Sequence, residues 1–234
     1  MDFLRIDPAM RIDIVSGLPK LLTSPLEESI LKQAQKKSLV EIYVHDLRKY
    51  THDKHRTIDD APYGGGAGMI LKPEPIFECI ESLQKERSYD EIIYASADGE
   101  KFDQDMANGL SLKNNLLILC GHYKGVDQRV RGTLITREIS IGDYVLTGGE
   151  LPALVIVDAV VRLIPGVLGN GESLLSDSFQ EDLLDTAWYT RPAEYRGMKV
   201  PETLLSGDHK EVVKWRQKNQ AQKTRTRRRD LLID

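Results

Sequence analysis

Five consecutive residues, Leu116-Leu117-Ile118-Leu119-Cys120, carry no charged side chain and run directly into Gly121. A strand with one face in water alternates apolar and polar residues. A continuous apolar run of this length marks a strand covered on both faces, the arrangement of a parallel sheet between helical layers. The flanking sequence agrees. Arg11 to Val15, Val40 to Val44, Glu91 to Ala95 and Thr133 to Ile139 read as further strands. Between them lie helical patterns. Ser24-Pro25-Leu26-Glu27 reads as a capped helix start running to about Lys37. Pro73 and Pro75 open a helix with Ile76, Phe77, Ile80 and Leu83 on one face. Asp103 to Leu112 is a short helix, and Leu154 to Leu163 another, stopped by Pro165 and Gly166. Strands alternating with helices give an α/β domain with a mainly parallel sheet.

In such sheets ligands bind beyond the carboxyl ends of the strands. Three glycine-bearing segments fall there: Ser96 to Gly99, Gly121 to Gly125, and Gly142 to Gly149. They read either as one convergent ligand site or as three ordinary connecting turns. The third is the most distinctive. In Ile141-Gly142-Asp143-Tyr144-Val145-Leu146-Thr147-Gly148-Gly149, glycines bracket bulky residues before the long apolar segment begins. Backbone groups that cannot all pair inside such a loop are available to a ligand, so the loop reads as the floor of a small-molecule site. A fourth glycine cluster, Pro62 to Met69, has four glycines in the five positions Gly64 to Gly68. It matches neither a Walker A loop nor a Rossmann fingerprint. His52 and His55 lack a third ligand nearby and read as loop histidines rather than a metal site.

Charge divides the chain unevenly. Of 32 Lys and Arg and 36 Asp and Glu, nine basic residues and one acid, Glu211, fall between Lys210 and Arg229. A basic tail on an acidic body points to a polyanion, nucleic acid first, with a solvated terminal helix as the plain alternative. No apolar run approaches the ~20 residues that span a bilayer. The mixed, charged start is no signal peptide. Cys79 and Cys120 are the only cysteines and form no zinc or disulfide pattern, which points to a reducing, cytoplasmic setting. The expected organisation is an extension over 1–9, an α/β domain over 10–166, a Gly/Ser-rich linker over 167–178 and a small helical domain over 179–234.

Six motifs, taken in order, carry a resemblance. They are His55-Arg56-Thr57-Ile58-Asp59-Asp60 with Pro62-Tyr63-Gly64-Gly65-Gly66, then Leu119-Cys120-Gly121-His122-Tyr123, then Ser140 to Leu151. After these come Arg162-Leu163-Ile164-Pro165-Gly166-Val167-Leu168-Gly169, Asp177-Ser178-Phe179 and Tyr189-Thr190-Arg191-Pro192. Over about residues 10 to 232 the chain closely resembles the bacterial tRNA (guanine-N1)-methyltransferases, the TrmD family of the SPOUT superfamily.

The resemblance implies a deep trefoil knot in the carboxyl half of the α/β domain, forming the pocket for S-adenosyl-L-methionine. It implies an obligate homodimer whose sites draw on both subunits, a magnesium ion that supports the reaction, and the tRNA anticodon stem-loop as substrate. The target is N1 of guanine 37 when guanine 36 precedes it. The cofactor pocket then comprises Tyr94, Ala95, Ser96, Gly121, Tyr123, Ile141, Gly142, Asp143, Tyr144, Val145, Leu146, Gly148 and Gly149, with Pro62 to Gly68 approaching from the side. Asp177 matches the family's general base and Arg162 the arginine placed near guanine and cofactor. Read alone, Asp177 before Phe179 is a helix N-cap. Lys210, Lys214, Arg216, Lys218, Arg225, Arg227 and Arg228 are the residues expected to meet phosphates, with Val212 and Trp215 packing inward. Two positions depart from the family pattern: Lys124, where glutamate is common, and Ala97, where proline is common. Related knotted enzymes with another RNA target, and a non-catalytic RNA-binding relative, are the competing expectations.

Overall fold

The computed structural model describes residues 10–169, 177–179 and 182–232, so the 1–9 extension and most of the 167–178 linker lie outside the described residues. The chain divides into two compact units after Gly169.

The first unit contains β1 (Met10–Ser16), α1 (Lys20–Leu26), α2 (Ser29–Lys36), β2 (Val40–Asp46), β3 (Asp59–Asp60), β4 (Ile70–Leu71) and α3 (Pro73–Glu86). It continues with β5 (Glu91–Lys101), α4 (Gln104–Ser111), β6 (Asn115–Cys120), α5 (Gln128–Thr133), β7 (Arg137–Ser140) and α6 (Glu150–Val161). Five strands form one sheet in the order β2-β1-β6-β5-β7, parallel at every pairing. β6, the apolar run, lies between β1 and β5. Its Leu116, Ile118 and Cys120 join a core with residues of α1, α2, α4 and α6. Its Leu117 and Leu119 join a second core with Ile76, Ile80 and Leu83 of α3. The two-residue period of a strand thus places alternate side chains into two separate hydrophobic layers.

Several elements differ from the sequence reading, and α6 begins at Glu150 rather than at Leu154. The helix expected from Ser24 begins earlier, at Lys20, and Pro25 lies inside α1. Burial of Leu22 and Leu26 on one face fixes that turn, and α2 starts afresh at Ser29. β5 does not end at Ala95 but continues to Lys101, with Ser96 to Gly99 bulging out where both Ala95 and Glu100 pair with Ile139. A Cβ on Gly99 would lie 2.4 Å from the Ile139 nitrogen, so only glycine lets β7 approach there. The strand expected over Thr133 to Ile139 is shorter and later, because its start belongs to α5, where Val130 is buried and Asp127 caps the Arg129 amide.

The second unit is less helical than its apolar spacing indicated. It contains a hairpin of β8 (Glu194–Tyr195) and β9 (Met198–Lys199), then α7 (Glu202–Leu205) and α8 (His209–Arg227). Asp208 caps α8 by accepting from the Lys210 and Glu211 amides. The irregular run before the hairpin is strapped along α8 by side chains. The Leu184 amide donates to Thr224 Oγ1 at 2.9 Å, the Ala187 amide to Asn219 Oδ1 at 2.7 Å, and Lys223 Nζ to the Asp185 carbonyl at 2.8 Å. Polar pairing satisfies this backbone without regular structure.

Candidate functional site

At the bulge of β5 and beyond the carboxyl ends of β6 and β7 lies a cavity of about 250 Å³. All three glycine-bearing segments line it. Tyr94, Ala95 and Ser96 come from β5; Gly121 and Tyr123 follow β6; Ile141, Gly142, Tyr144, Val145, Leu146, Gly148 and Gly149 follow β7. Of the thirteen cofactor residues expected from the sequence, Asp143 is the one outside this wall. The Pro62 to Gly68 loop meets the wall at Lys124: the Lys124 amide donates to the Met69 carbonyl at 3.0 Å, and a Cβ on Gly68 would lie 2.8 Å from Lys124 Cγ.

The loop from Ile141 is held at both ends. Ser140 Oγ bridges back to Gly142, and the Tyr144 hydroxyl donates to the Ile141 carbonyl at 3.2 Å. At the far end the Gly149 amide donates to the Gly121 carbonyl at 2.7 Å. His122 and Gly148 form an antiparallel bridge. Between these anchors the side chains of Tyr144, Val145 and Leu146 are exposed. The loop therefore presents apolar groups above a backbone floor.

Some contributors had no role assigned by the sequence reading, although Glu150 and His122 lie inside its motifs. Glu150 opens α6, is buried, and accepts from Ser16 Oγ at 2.7 Å. A carboxylate in the first helical turn is favoured by the helix dipole, and that position after the glycine pair was the available signal. His122 Nδ1 is buried with no hydrogen-bond partner among the described residues. It lies beside Gly148, whose added Cβ would meet it at 2.7 Å and Glu150 Oε2 at 2.5 Å. Arg131 lines the cavity, pairs with Asp98 at 2.7 Å and with Glu138, and lies 5.6 Å from the Tyr94 ring centre. Hydrogen bonds that it donates to Glu138 and Asp98 raise its pKa, so it is a permanent cation. Burial pushes the Tyr94 phenol up. Burial also pushes the Cys79 thiol up to about 12, and burial followed by the Glu150 charge pushes Cys120 well above its usual range. Neither thiol is a thiolate at neutral pH, so neither serves as a nucleophile.

Arg162 caps the carboxyl end of α6 in the first unit. Asp177 is described within the second unit and is partly buried. On α8, Lys210, Lys214, Arg216, Lys218, Arg225 and Arg227 are all exposed, as is Arg228 at its end. Three of these cations are already engaged. Lys214 pairs with Glu211 at 2.7 Å, Arg228 with Asp230 at 2.7 Å, and Arg216 lies 4.6 Å from the Trp188 ring centre. Trp215 is partly buried and packs edge-on against Tyr189. Among the described residues no group of three or more His, Cys, Asp or Glu can hold a metal ion. None of their helices is long and apolar enough to cross a membrane.

Comparison with known proteins agrees with this geometry. Residues 10–234 match the family model described as tRNA (Guanine-1)-methyltransferase TrmD. A tRNA (guanine-N(1)-)-methyltransferase of Chlorobaculum tepidum is 60% identical over 223 residues, covering 95% of this chain and 97% of the relative. The protein of that name from Bacteroides fragilis strain ATCC 25285 is 57% identical over 225 residues, covering 96% and 100%. That from Cytophaga hutchinsonii is 60% identical over 222 residues, covering 95% and 94%. The chain belongs to the TrmD family of methyltransferases.

Proposed function

We propose that this chain transfers the methyl group of S-adenosyl-L-methionine to N1 of guanine 37 in a tRNA with guanine at position 36. The observation that carries the reading is the convergence of three glycine-bearing segments on one cavity at the β5 bulge and the ends of β6 and β7, in a chain of this family. The cavity suits the donor: backbone amides and carbonyls of the Gly121 and Ile141 loops offer the edges that a purine and a ribose need, and Ile139, Leu146 and Pro152 offer an apolar wall. Bound there, S-adenosylmethionine supplies an electrophilic methyl group on a positively charged sulfur.

The rest falls to the protein. Guanine N1 carries a proton at neutral pH and is no nucleophile until it is lost. Asp177 takes that proton, a step that contributes typically about 10²–10⁴-fold. The freed N1 pair forms the new bond to carbon as the carbon–sulfur bond breaks, its pair staying with sulfur. Arg162 stabilises the negative charge that builds on O6. The leaving group is a neutral thioether, so no second acid is needed. The expected magnesium ion has no ready cluster of three or more His, Cys, Asp or Glu among the described residues. Exposed cations of α8 take the tRNA phosphates.

The same reading includes the family's knot and a homodimer in the cytoplasm. The dimer has support on α6. That helix is apolar nearly all round, the pattern of a fully buried helix, yet Leu151 and Val155 are 57% and 46% exposed, one turn apart. A second copy would cover them. The function is tested by transfer of labelled methyl groups from S-adenosylmethionine to tRNA, with Asp177→Ala as comparison. A loss of roughly 100-fold or more is expected, and full activity of the variant would overturn the base assignment.

A further inference from the structure

The second unit has a cavity of its own, of about 360 Å³. Its walls include Trp188, Tyr189, Arg191, Leu204, Val212 and Arg216, and among the described residues no acidic side chain lines it. That volume is near the lower end of the range of roughly 300–1,000 Å³ for small-molecule pockets, room for one flat ring system rather than for a strand of RNA.

Trp188 is the unusual member. Its side chain is fixed: Nε1 donates to Asp185 Oδ2 at 2.6 Å, and Asp185 Oδ1 in turn accepts from the Thr186 amide at 2.6 Å. The backbone around it is strapped to α8 through Lys223 and Asn219. Despite this, Trp188 is 60% exposed. A large aromatic that is both immobilised and left in water has been pre-organised to receive a partner, because no ordering cost remains when one arrives. The charge around it defines the partner. Arg216 lies 4.6 Å from the indole centre, Arg191 lines the same cavity, and the helix that supplies Arg216 carries the chain's densest run of cations. An exposed indole with one guanidinium over its ring and a second in the same cavity wall fits a ligand that is planar, apolar on its faces and attached to a phosphate. Lipid tails have no flat face, and an acidic peptide would leave the indole unused.

We propose that this cavity takes a single unpaired nucleobase of the tRNA, stacked on Trp188, with Arg216 and Arg191 meeting its edge and neighbouring phosphate. The site lies outside the methyl-transfer machinery and acts on substrate affinity. It rests on the tRNA reading above. Stacking on an exposed aromatic is worth about 1–3 kcal/mol per base, which is roughly 5- to 150-fold in affinity.

The test uses the full-length protein and a labelled anticodon stem-loop, with each loop nucleotide replaced in turn by an abasic one. Trp188→Ala is expected to weaken binding about 10-fold or more and to raise the KM for tRNA by a similar factor. The kcat and the affinity for S-adenosylmethionine should hold, and Trp188→Phe should restore most of the loss. One abasic position should cost as much as Trp188→Ala, and combining the two should cost nothing further. In Trp215→Phe protein, where Trp188 is the sole tryptophan, the intact stem-loop should quench fluorescence and the stem-loop abasic at that position should not. Absence of quenching, or additive losses at every abasic position, overturns the proposal. A wild-type protein that binds and couples in this way but methylates no tRNA would overturn the functional reading while leaving the pocket standing.

Discussion

The Gly149 amide donates to the Gly121 carbonyl at 2.7 Å, and a Cβ on Gly149 would sit 2.7 Å from the Gly121 nitrogen and 2.8 Å from Cys120 Cα. The two loops of the cavity are thus pressed backbone to backbone, and their meeting point admits no side chain. Gly149→Ala must therefore displace main chain rather than a flexible side chain. Overpacking of this kind costs typically about 1–3 kcal/mol, which in a protein of this size lowers the melting temperature by roughly 2–12 °C. Calorimetric titration should show weaker binding of S-adenosylmethionine. Gly109→Ala, in α4 with open space at its Cβ, serves as the control and should leave binding unchanged.

A second prediction concerns acid stability. Asp13 is fully buried on β1. Burial by itself raises its pKa, but bonds from His45 at 2.7 Å, Arg11 at 2.8 Å and Tyr89 at 2.8 Å prevail and bring it from 3.8 to about 2. A depressed carboxylate pKa stabilises the fold at pH above the unfolded value and loses that contribution as pH falls through the folded one. About 2 kcal/mol should therefore disappear between about pH 4 and about pH 2, seen as a falling midpoint in urea melts. Asp13→Asn leaves Arg11 without its carboxylate and should cost about 3–5 kcal/mol at neutral pH, with a flatter acid profile.

On α8, engaged and unengaged cations should behave differently. Lys210, Lys218, Arg225 and Arg227 form no ion pair among the second unit's described residues, unlike Lys214 and Arg228. Replacing these four by alanine therefore removes cations that are available to phosphate. Each phosphate that goes unneutralised should reduce the slope of log affinity against log salt by roughly 0.7–0.9. The quadruple variant should bind tRNA weakly with a slope smaller by about 3, read from titrations at several salt concentrations. An unchanged slope would remove α8 from the RNA interface.

The exposed pair on α6 gives a further test. Val155→Asp puts a charge on the face that a second copy would cover. Sedimentation should then show monomer where the parent protein sediments as dimer, and methyl transfer should fall with it. A monomeric parent protein would contradict the dimer.

Much of this was legible in the residues, and the parts that were not have identifiable causes. The apolar run Leu116 to Cys120 indicated a two-faced strand because strand geometry sends neighbours to opposite layers, and the two cores divide β6 in that way. The short helix over Asp103 to Leu112 was readable to within a residue at each end, and Asp103 proves to be its cap, its carboxylate accepting from the Met106 amide. The bulge at Ser96 to Gly99 was read as a turn, since the pairing that carries β5 on to Lys101 is made with β7, far along the chain. Glu150 and Ser16 meet across 134 positions, and no local pattern announces such a pair. Trp188 was hidden for the opposite reason: its neighbours are mixed, and only the straps from α8 reveal that it is fixed yet exposed.

Everything proposed for the site turns on the identity of the methylated atom. The most direct measurement is to incubate the protein with labelled S-adenosylmethionine and unmodified tRNA, then map the modified nucleotide and its position of methylation. N1-methylguanine at position 37 is predicted, strongly reduced when guanine 36 is replaced and nearly absent with Asp177→Ala. Label at another nucleotide, on a ribose, or on no RNA at all would contradict the account.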